Sequence, residues 1–255
     1  VYRSKDGGAM WQLVHAISDR TGAVDLTMDS KNPDVLIVAM WTTERKPWTI
    51  ESGSTEAGLF RTTNGGDTWT KLGGGLPDKG MVGRIGVSIS PADPRRVYAQ
   101  VEAGGDQGGV YISNDGGLTW TRGFTGRGLQ QRAWYYTHIQ ADPVDVDTVY
   151  GLNVGALKST DGGKTFDPAG IQSHGDYHDI WINPANNKII VVGNDGGAAV
   201  TTGTGSWSGQ NNQPTSEMYR VITDNRYPYW VYGAQQDNST QAVPSQGNDA
   251  TYAVG

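Results

Sequence analysis

Ser113-Asn-Asp115-Gly116-Gly117-Leu-Thr119-Trp120 is the stretch that decides the fold, because the chain repeats it. Clear copies begin at Ser4, near Thr63 and at Ser159, and a degenerate copy spans Thr202–Trp207. Successive copies lie 58, 51, 46 and about 42 residues apart. This spacing is typical of the blades of a β-propeller and is too long for a small solenoid repeat.

The repeated stretch has the chemistry of a tight turn between two strands. Asp-Gly and Asn-Gly tolerate positive φ, and the acidic or amide side chain can accept hydrogen bonds from amides of its own turn. The aromatic residue five positions after the Asp or Asn starts the returning strand and is expected to pack between blades. We therefore predict a structural role for Asp6, Asn64, Asp115 and Asp161, and exclude them from the candidate site.

Each repeat carries the same order of strand signals. A first strand ends at a turn, a second strand follows, a third leads into the repeated turn and a fourth leaves it. The first 14 residues supply only a third and a fourth strand, whereas Met218–Gln236 supplies only a first and a second. We predict an all-β fold, a five-bladed β-propeller with four antiparallel strands per blade, closed by N- and C-terminal strands in one composite blade. The single domain spans residues 1–255, with blades at about 15–72, 80–123, 132–168, 174–209, and 217–240 together with 1–14.

The composition limits the classes of partner. The 255 residues include 37 Gly, 9 Trp and 12 Tyr, which suits many short strands and tight turns. A net charge of −6 offers no basic stripe for nucleic acid, and no apolar run is long enough to span a bilayer. The lack of cysteine excludes thiolate metal sites, disulfides and cysteine nucleophiles. We expect a small-molecule or glycan partner and an extracellular or periplasmic location, and leave the oligomeric state open.

The repeated stretch resembles the Asp-box, also called the BNR repeat, of sialidases, sortilin-type propellers and glycoside hydrolase family 74. The wider pattern is similar to that of bacterial BNR-repeat proteins labelled glycosyl hydrolase or sortilin-like. The segments that carry this resemblance are Thr21–Asp25, Pro33-Asp34, Trp41 with Arg45–Trp48, Gly83–Gly86, Gly193–Gly197, Asp224, Pro228–Gly233 and Gln236–Asn238. The resemblance covers nearly the whole chain and implies a propeller, whereas the activity of such proteins is poorly defined. They are usually longer, and this chain resembles their second half.

The most specific polar cluster is His174-Gly-Asp176-Tyr-His178, which we expect to open the first strand of its blade. Residues i, i+2 and i+4 of an extended chain project to one side, which would gather His, Asp and His at a channel mouth. Imidazole and carboxylate ligands suit Zn²⁺, Mn²⁺ or Fe²⁺, whereas Ca²⁺ prefers oxygen ligands. His174, Asp176 and His178 are therefore the predicted ligands of a divalent metal. Structural hydrogen bonding and a metal-free acid–base role are the alternatives.

Further candidate groups follow second strands on the same rim. Asp195 follows the second strand of the same blade, and Gln236 and Asp237 follow that of the neighbouring blade. Asp195 and Asp237 are predicted to be catalytic together with Asp176, either by orienting a water molecule or by exchanging protons. Gln236 is predicted to bind the substrate. A turn-capping role is the alternative for both Asp195 and Asp237.

Aromatic and basic residues form a second candidate group. Arg132 and Tyr135 are expected to open another inner strand, whereas Trp41 and Arg45 lie in the long loop Trp41–Ala57. Aromatic faces beside an arginine suit sugar rings or an anionic ligand, so these four residues are predicted to bind substrate. Packing between blades is the alternative for the tyrosine.

Three functions are compatible with these residues. The first is a metal-dependent hydrolase of an ester or phosphoester, in which a metal at the channel mouth lowers the pKa of bound water. The second is a glycoside hydrolase, in which Asp176 with Asp195 or Asp237 supplies paired carboxylates. The third is a non-catalytic propeller whose rim binds a glycan or a peptide. The His-Asp-His spacing favours the first.

Overall fold

Short antiparallel strands make up nearly all of the regular structure in the computed structural model, which describes residues 1–210, 213 and 217–247 and the backbone of Ala253–Val254. The all-β prediction is therefore confirmed. Within these residues one four-residue helix, α1 (Ala133–Tyr136), and two 3₁₀ turns, Gly105–Gln107 and Arg127–Leu129, interrupt the strands. No helix in the described part of the chain is long and apolar enough to cross a bilayer.

The first strands form a hairpin and two antiparallel sheets, which we number in chain order. The N-terminal hairpin consists of β1 (Tyr2–Arg3) and β2 (Gln12–Leu13). Sheet I consists of β3 (Thr21–Met28), β4 (Leu36–Lys46), β5 (Thr49–Ser52), β6 (Gly58–Thr62) and β7 (Thr70–Lys71). Sheet II consists of β8 (Val82–Ile89), β9 (Val97–Ala103), β10 (Gly109–Ser113) and β11 (Thr121–Arg122).

Three further sheets complete the described chain, and each pairs its strands in sequence order. Sheet III consists of β12 (His138–Ala141), β13 (Val149–Leu152), β14 (Ala156–Ser159) and β15 (Asp167–Pro168). Sheet IV consists of β16 (Tyr177–Ile182), β17 (Ile189–Asn194) and β18 (Gly197–Thr202), with a single bridge from Thr201 to Trp207 where a fourth strand would lie. Sheet V consists of β19 (Met218–Thr223), β20 (Trp230–Gln235), β21 (Thr240–Pro244) and β22 (Ala253–Val254).

The repeated stretch forms the turn between the third and fourth strands, as predicted. In sheet II the Asp115 Oδ1 accepts hydrogen bonds from the amides of Leu118 and Thr119 at 3.0 and 2.9 Å, and Oδ2 accepts one from Thr119 Oγ1 at 2.6 Å. The Trp120 indole N–H donates to the carbonyl of Gly117. Asp161 makes the same contacts in sheet III, so the carboxylate is used inside its own turn. The predicted structural role of these turns is confirmed.

In sheets II and III the aromatic residue of the turn packs against the preceding sheet. Trp120 of sheet II is buried in a core cluster with Ile37 and Leu72 of sheet I, and Phe166 of sheet III tilts against Phe124 at 5.0 Å. Trp11, in the N-terminal hairpin, is 64% exposed because no described sheet precedes the hairpin. The aromatic position therefore joins neighbouring sheets rather than stabilising its own turn alone.

First strands are joined to the next sheet by polar contacts. Asp25 Oδ2 and Thr27 Oγ1 of β3 accept hydrogen bonds from the amides of Val87 and Ile89 of β8, at 2.8 and 3.0 Å. Ser88 Oγ of β8 accepts one from the amide of Ala141 of β12 at 3.0 Å. Side chains on the first strand of one sheet thus accept hydrogen bonds from the backbone of the first strand of the following sheet.

The predicted composite blade is not what the described residues form. β20 pairs with β19 on one edge and with β21 on the other, in a register that matches Val231 with Val243. The N-terminal hairpin forms a two-stranded sheet of its own. Thr240–Pro244 pairs with β20 along the edge that the prediction assigned to β1. Closure into a ring and the count of five blades therefore stay predictions.

Candidate functional site

A pocket of about 430 Å³ lies on the rim where sheets III, IV and V meet. Its walls come from the helix before sheet III, from the β17–β18 turn, and from two segments next to β19 and β20. The lining residues are Tyr135, Asp195, Gly196, Glu217, Gln236, Asp237 and Asn238. The sequence-predicted residues Tyr135, Asp195, Gln236 and Asp237 are therefore brought together here, whereas the other predicted site residues lie outside this lining.

His174 links sheet IV to sheet V instead of facing a metal position. Its Nε2 lies 3.0 Å from the carbonyl oxygen of Asp237, and its Nδ1 lies 3.0 Å from the carbonyl oxygen of Gly175. The backbone amide of His174 donates to Gln210 Oε1 at 3.1 Å. Both ring nitrogens therefore face carbonyl oxygens, and the imidazole helps to hold the Asp237 loop against sheet IV.

His178 forms a close pair with Asp195. Its Nε2 lies 2.6 Å from Asp195 Oδ1, and the imidazole contacts the rings of Tyr135 and Tyr136 at centroid distances of 5.6 and 5.2 Å. The turn after β17 positions the carboxylate, since Asn194 Oδ1 accepts the amide N–H of Gly196 at 3.0 Å. The pair fixes Asp195 at the edge of the pocket, with one carboxylate oxygen held by the imidazole.

Asp176 lies near Arg132 and Tyr136. The Tyr136 hydroxyl lies near the Asp176 carboxylate, and burial followed by the interaction with this carboxylate raises the pKa of Tyr136 to about 12. Arg132 Nη1 lies 3.9 Å from Asp176 Oδ2 and 3.4 Å from the Tyr136 hydroxyl. Arg132 and Tyr136 thus form a small polar network with Asp176 next to the pocket.

The predicted metal-ligand set is not assembled. The described residues contain no group of three or more His, Asp or Glu side chains arranged to hold a metal ion. β16 begins only at Tyr177, and Asp176 adopts a left-handed backbone with φ 57°, so the alternation assumed for His174, Asp176 and His178 is broken. In this arrangement His174, Asp176 and His178 do not form the predicted ligand set.

Two further local predictions are corrected. The segment expected to open an inner strand is helix α1, because Arg132 adopts a left-handed backbone with φ 45° and β12 starts only at His138. The expected long loop Trp41–Ala57 is instead largely a hairpin in which β4 continues to Lys46 and pairs with β5. Tyr135 reaches the pocket from the helix, so its candidacy does not depend on a strand.

Trp41 and Arg45 lie away from the pocket, on the hairpin of sheet I. The Trp41 indole N–H donates to Ser52 Oγ at 3.0 Å, and the Arg84 guanidinium lies 5.5 Å from the centre of its ring. Arg45 pairs with Ile50 across the hairpin. Neither residue lines the pocket, so Trp41 and Arg45 do not join Tyr135 in its lining.

Glu217 was not predicted to line the pocket, and Asn238 was named only as part of the segment Gln236–Asn238. Asn238 Nδ2 donates to the carbonyl oxygen of Asp195 at 2.8 Å and to that of Gln236 at 3.0 Å, which fixes the loop after β20. Glu217 immediately precedes β19. The residues just before a first strand lie on one rim, as those before β16 do. The position of Glu217 just before β19 was therefore the feature of the sequence that could have predicted its place in the pocket.

The charged side chains of the pocket lining are all acidic. Asp195, Glu217 and Asp237 contribute carboxylates, Gln236 and Asn238 contribute amides, and no lysine, arginine or histidine is part of the lining. Tyr135 adds an aromatic side chain that is 43% exposed. The pocket therefore offers hydrogen-bond donors and acceptors and an aromatic face, and it disfavours anionic groups.

Comparison with known proteins matches residues 111–122 to the BNR/Asp-box repeat. No curated protein sequence matches the chain. Among solved structures, the chain is similar to a GH74 xyloglucanase from Xanthomonas campestris (19% identity, TM-score 0.52) and to a GH74 enzyme from Niastella koreensis (18% identity, TM-score 0.55). In both cases 91% of this chain is covered, but only 32% and 38% of the respective enzyme. The chain thus spans about a third of the length of these enzymes.

A weaker likeness links the chain to YCF48 bound to D1 peptide, with 13% identity, a TM-score of 0.49 and coverage of 92% of this chain and 69% of the other. At these identities the likeness concerns the fold alone. The four-stranded antiparallel sheets described above resemble the propeller blades of the GH74 enzymes. The chain therefore carries the BNR/Asp-box repeat on an all-β scaffold of propeller-like sheets.

Proposed function

We propose that the rim pocket binds a glycan that carries no negative charge. The observation that supports this proposal is the lining, in which an aromatic face, two amides and three carboxylates surround one cavity without a cationic side chain. Carboxylates and amides can satisfy several hydroxyl groups, and an aromatic ring covers the apolar face of a sugar. An anionic ligand would meet three carboxylates with no counter-charge in the lining.

The walls of the pocket are held before any ligand binds. Asn238 is bonded to the carbonyl of Asp195, and Gln236 Oε1 accepts a hydrogen bond from the Tyr219 hydroxyl at 2.6 Å. The His178 imidazole holds Asp195. Groups that are fixed in advance lose little conformational entropy on binding, which favours recognition of a weakly held polar ligand such as a sugar.

Cleavage of a glycosidic bond is the second step of the proposal. Asp195 and Asp237 line the same pocket from loops of different sheets, and we assign the paired carboxylates of the reaction to them. One carboxylic acid would protonate the glycosidic oxygen, and the other, as a carboxylate, would activate water or attack the anomeric carbon. The distant GH74 likeness is compatible with this chemistry and does not establish it.

Binding of matched oligosaccharides tests the proposal. Neutral xyloglucan oligosaccharides should bind measurably by calorimetry, whereas acidic oligogalacturonate of similar length should bind at least ~10-fold more weakly, a difference of about 1.4 kcal/mol. Tyr135→Ala should weaken binding about 10-fold. Tyr229→Ala is the matched control, because Tyr229 is similarly exposed at 46% and does not line the pocket.

The product analysis separates binding from catalysis. Release of reducing ends from a bound neutral glycan would support the hydrolase, and binding without release would leave a glycan-binding propeller. Equal affinity for neutral and acidic oligosaccharides, or equal effects of the two tyrosine variants, would overturn the proposed site.

A further inference from the structure

Sheets IV and V touch at the rim but leave apolar side chains exposed below it. At the rim, Asn238 bonds the carbonyl of Asp195 and His174 faces the carbonyl of Asp237. Below the rim, Trp181 of β16 is 53% exposed and Val221 of β19 is 56% exposed. Inward-facing side chains of adjacent sheets normally interdigitate, and these two surfaces lack the packing that sheets I and II give each other.

The exposed side of sheet IV is a continuous apolar row. Alternate residues of β16 point to opposite faces, and Ile180 and Ile182 are buried in a cluster with Tyr150 of sheet III. Trp181 points the other way and is paired across the sheet with Val191. Val191 is paired in turn with Val200. Trp181, Val191 and Val200 therefore form a row on the face that turns away from sheet III, which we call the Trp181 row.

Sheet V presents a matching row. In sheet IV the amide of Asn183 donates to the carbonyl of Ile189, and in sheet V the amide of Asp224 donates to that of Trp230. These equivalent bonds align the two first strands, so Thr223 occupies the place of Ile182 and faces the preceding sheet. Thr223 is paired with Val231, and Val231 with Val243. Thr223, Val231 and Val243 form the Val231 row.

Earlier sheet pairs show how such rows meet. The same alignment makes Asp179 equivalent to Asp25, and Val221 equivalent to Val87. Asp25 accepts the Val87 amide, which joins sheets I and II. In sheets IV and V this contact is not made, although the rim contacts are in place. Sheets IV and V are therefore joined at the rim, but the Trp181 row and the Val231 row are not packed against each other.

We propose that sheet V closes onto sheet IV by pivoting about the rim contacts, so that the Val231 row packs against the Trp181 row. The partner of the exposed Trp181 row is thus a segment of the same chain, continuous with the rim contacts that already join the two sheets. Burial of Trp181 and Val221 would drive the closure. The pivot residues Asp195, Asp237 and Asn238 also line the pocket, so the closure would take place directly beside it.

Pairs of introduced cysteines test the closure without any ligand, so the result is independent of the proposed function. The chain has no native cysteine, so Asp179→Cys with Val221→Cys introduces the only two thiols. The positive control is Thr27→Cys with Ile89→Cys, which joins two sheets already in contact. The decoy is Asp179→Cys with Tyr227→Cys, because Tyr227 lies fully at the surface in the β19–β20 turn.

Disulfide formation is followed by non-reducing mass spectrometry of dilute monomer under mild oxidation. The 179/221 pair should crosslink at a rate near that of the positive control and at least ~10-fold faster than the decoy. A rate no faster than the decoy, with the positive control crosslinked, would overturn the closure. If this variant does not fold, Val200→Cys with Val243→Cys, at the outer ends of the two rows, gives the same reading.

Discussion

His178 Nε2 lies 2.6 Å from Asp195 Oδ1, and this pair joins the first strand of sheet IV to the wall of the rim pocket. Imidazole on one oxygen orients the carboxylate and leaves its other oxygen available to the pocket. The rings of Tyr135 and Tyr136 contact the imidazole. The pair is therefore a positioning device for Asp195, whether the ligand is cleaved or only bound.

Asp195→Asn should separate cleavage from binding. The amide keeps the shape and can still accept from His178 but cannot accept a proton or attack carbon, so cleavage of a neutral glycan should fall by at least ~100-fold. The dissociation constant should change by no more than a few-fold. Reducing-end release and calorimetry measure the two quantities. Asp167→Asn is the control, since Asp167 is exposed on β15, and an unchanged cleavage rate in Asp195→Asn would remove Asp195 from catalysis.

Asp115→Ala should destabilise sheet II through the turn alone. The side chain accepts hydrogen bonds from two amides and two hydroxyls, and its loss should cost about 1 kcal/mol, as for a helix N-cap. Urea denaturation at neutral pH measures the change. Exposed Asp78→Ala is the control and should stay within ~0.5 kcal/mol. A wild-type midpoint in Asp115→Ala would show that the turn does not depend on its carboxylate.

The contribution of Asp115 should also depend on pH. The Thr119 hydroxyl and amide lower the pKa of Asp115 to about 2, below its ordinary value of about 3.9. A depressed folded-state pKa means that the stabilisation is complete above about pH 4 and is lost as the pH falls through about 2. The carboxylate is solvent-exposed, so the effect is small. The difference between wild type and Asp115→Ala should therefore shrink between pH 5 and pH 2.5, and a constant difference would contradict this origin.

Trp120 and Trp11 occupy the same position of the repeat and should differ in energetic weight. Trp120 is buried between sheets I and II, so Trp120→Ala should cost about 3–5 kcal/mol. Trp11 is mostly exposed, so Trp11→Ala should change the free energy of unfolding by less than ~0.5 kcal/mol. Urea denaturation of both variants tests this pair. Similar losses would mean that Trp11 is covered in solution.

The strand order could be predicted because the same turn recurs along the chain. The candidate site could be predicted only in part, because it depends on the backbone conformations of individual residues. The Asp115 turn recurs, so its hairpin geometry and the strand order followed from local chemistry. Asp176 and Arg132 adopt left-handed backbones that no side-chain pattern announces, and these two residues break the strands assumed for the histidine motif and for Tyr135. Both β1 and β21 could pair with the free edge of β20, and the local sequence pattern does not show which of them does. Tyr135, Asp195, Gln236 and Asp237 were still identified, because loops after second strands converge on one rim.

His174→Ala should weaken glycan binding, and the effect should not depend on a metal ion. The imidazole faces the carbonyl oxygens of Gly175 and Asp237, so its removal frees the Asp237 loop and should weaken glycan binding several-fold. Chelation of wild-type protein should leave binding unchanged, and added Zn²⁺ should not restore the variant. His15→Ala is the control, because His15 stacks on Trp69 far from the pocket. If purified protein contained a stoichiometric metal and lost binding on chelation, the metal-dependent hydrolase would be favoured instead. That result would require His174, Asp176 and His178 to rearrange into a ligand set.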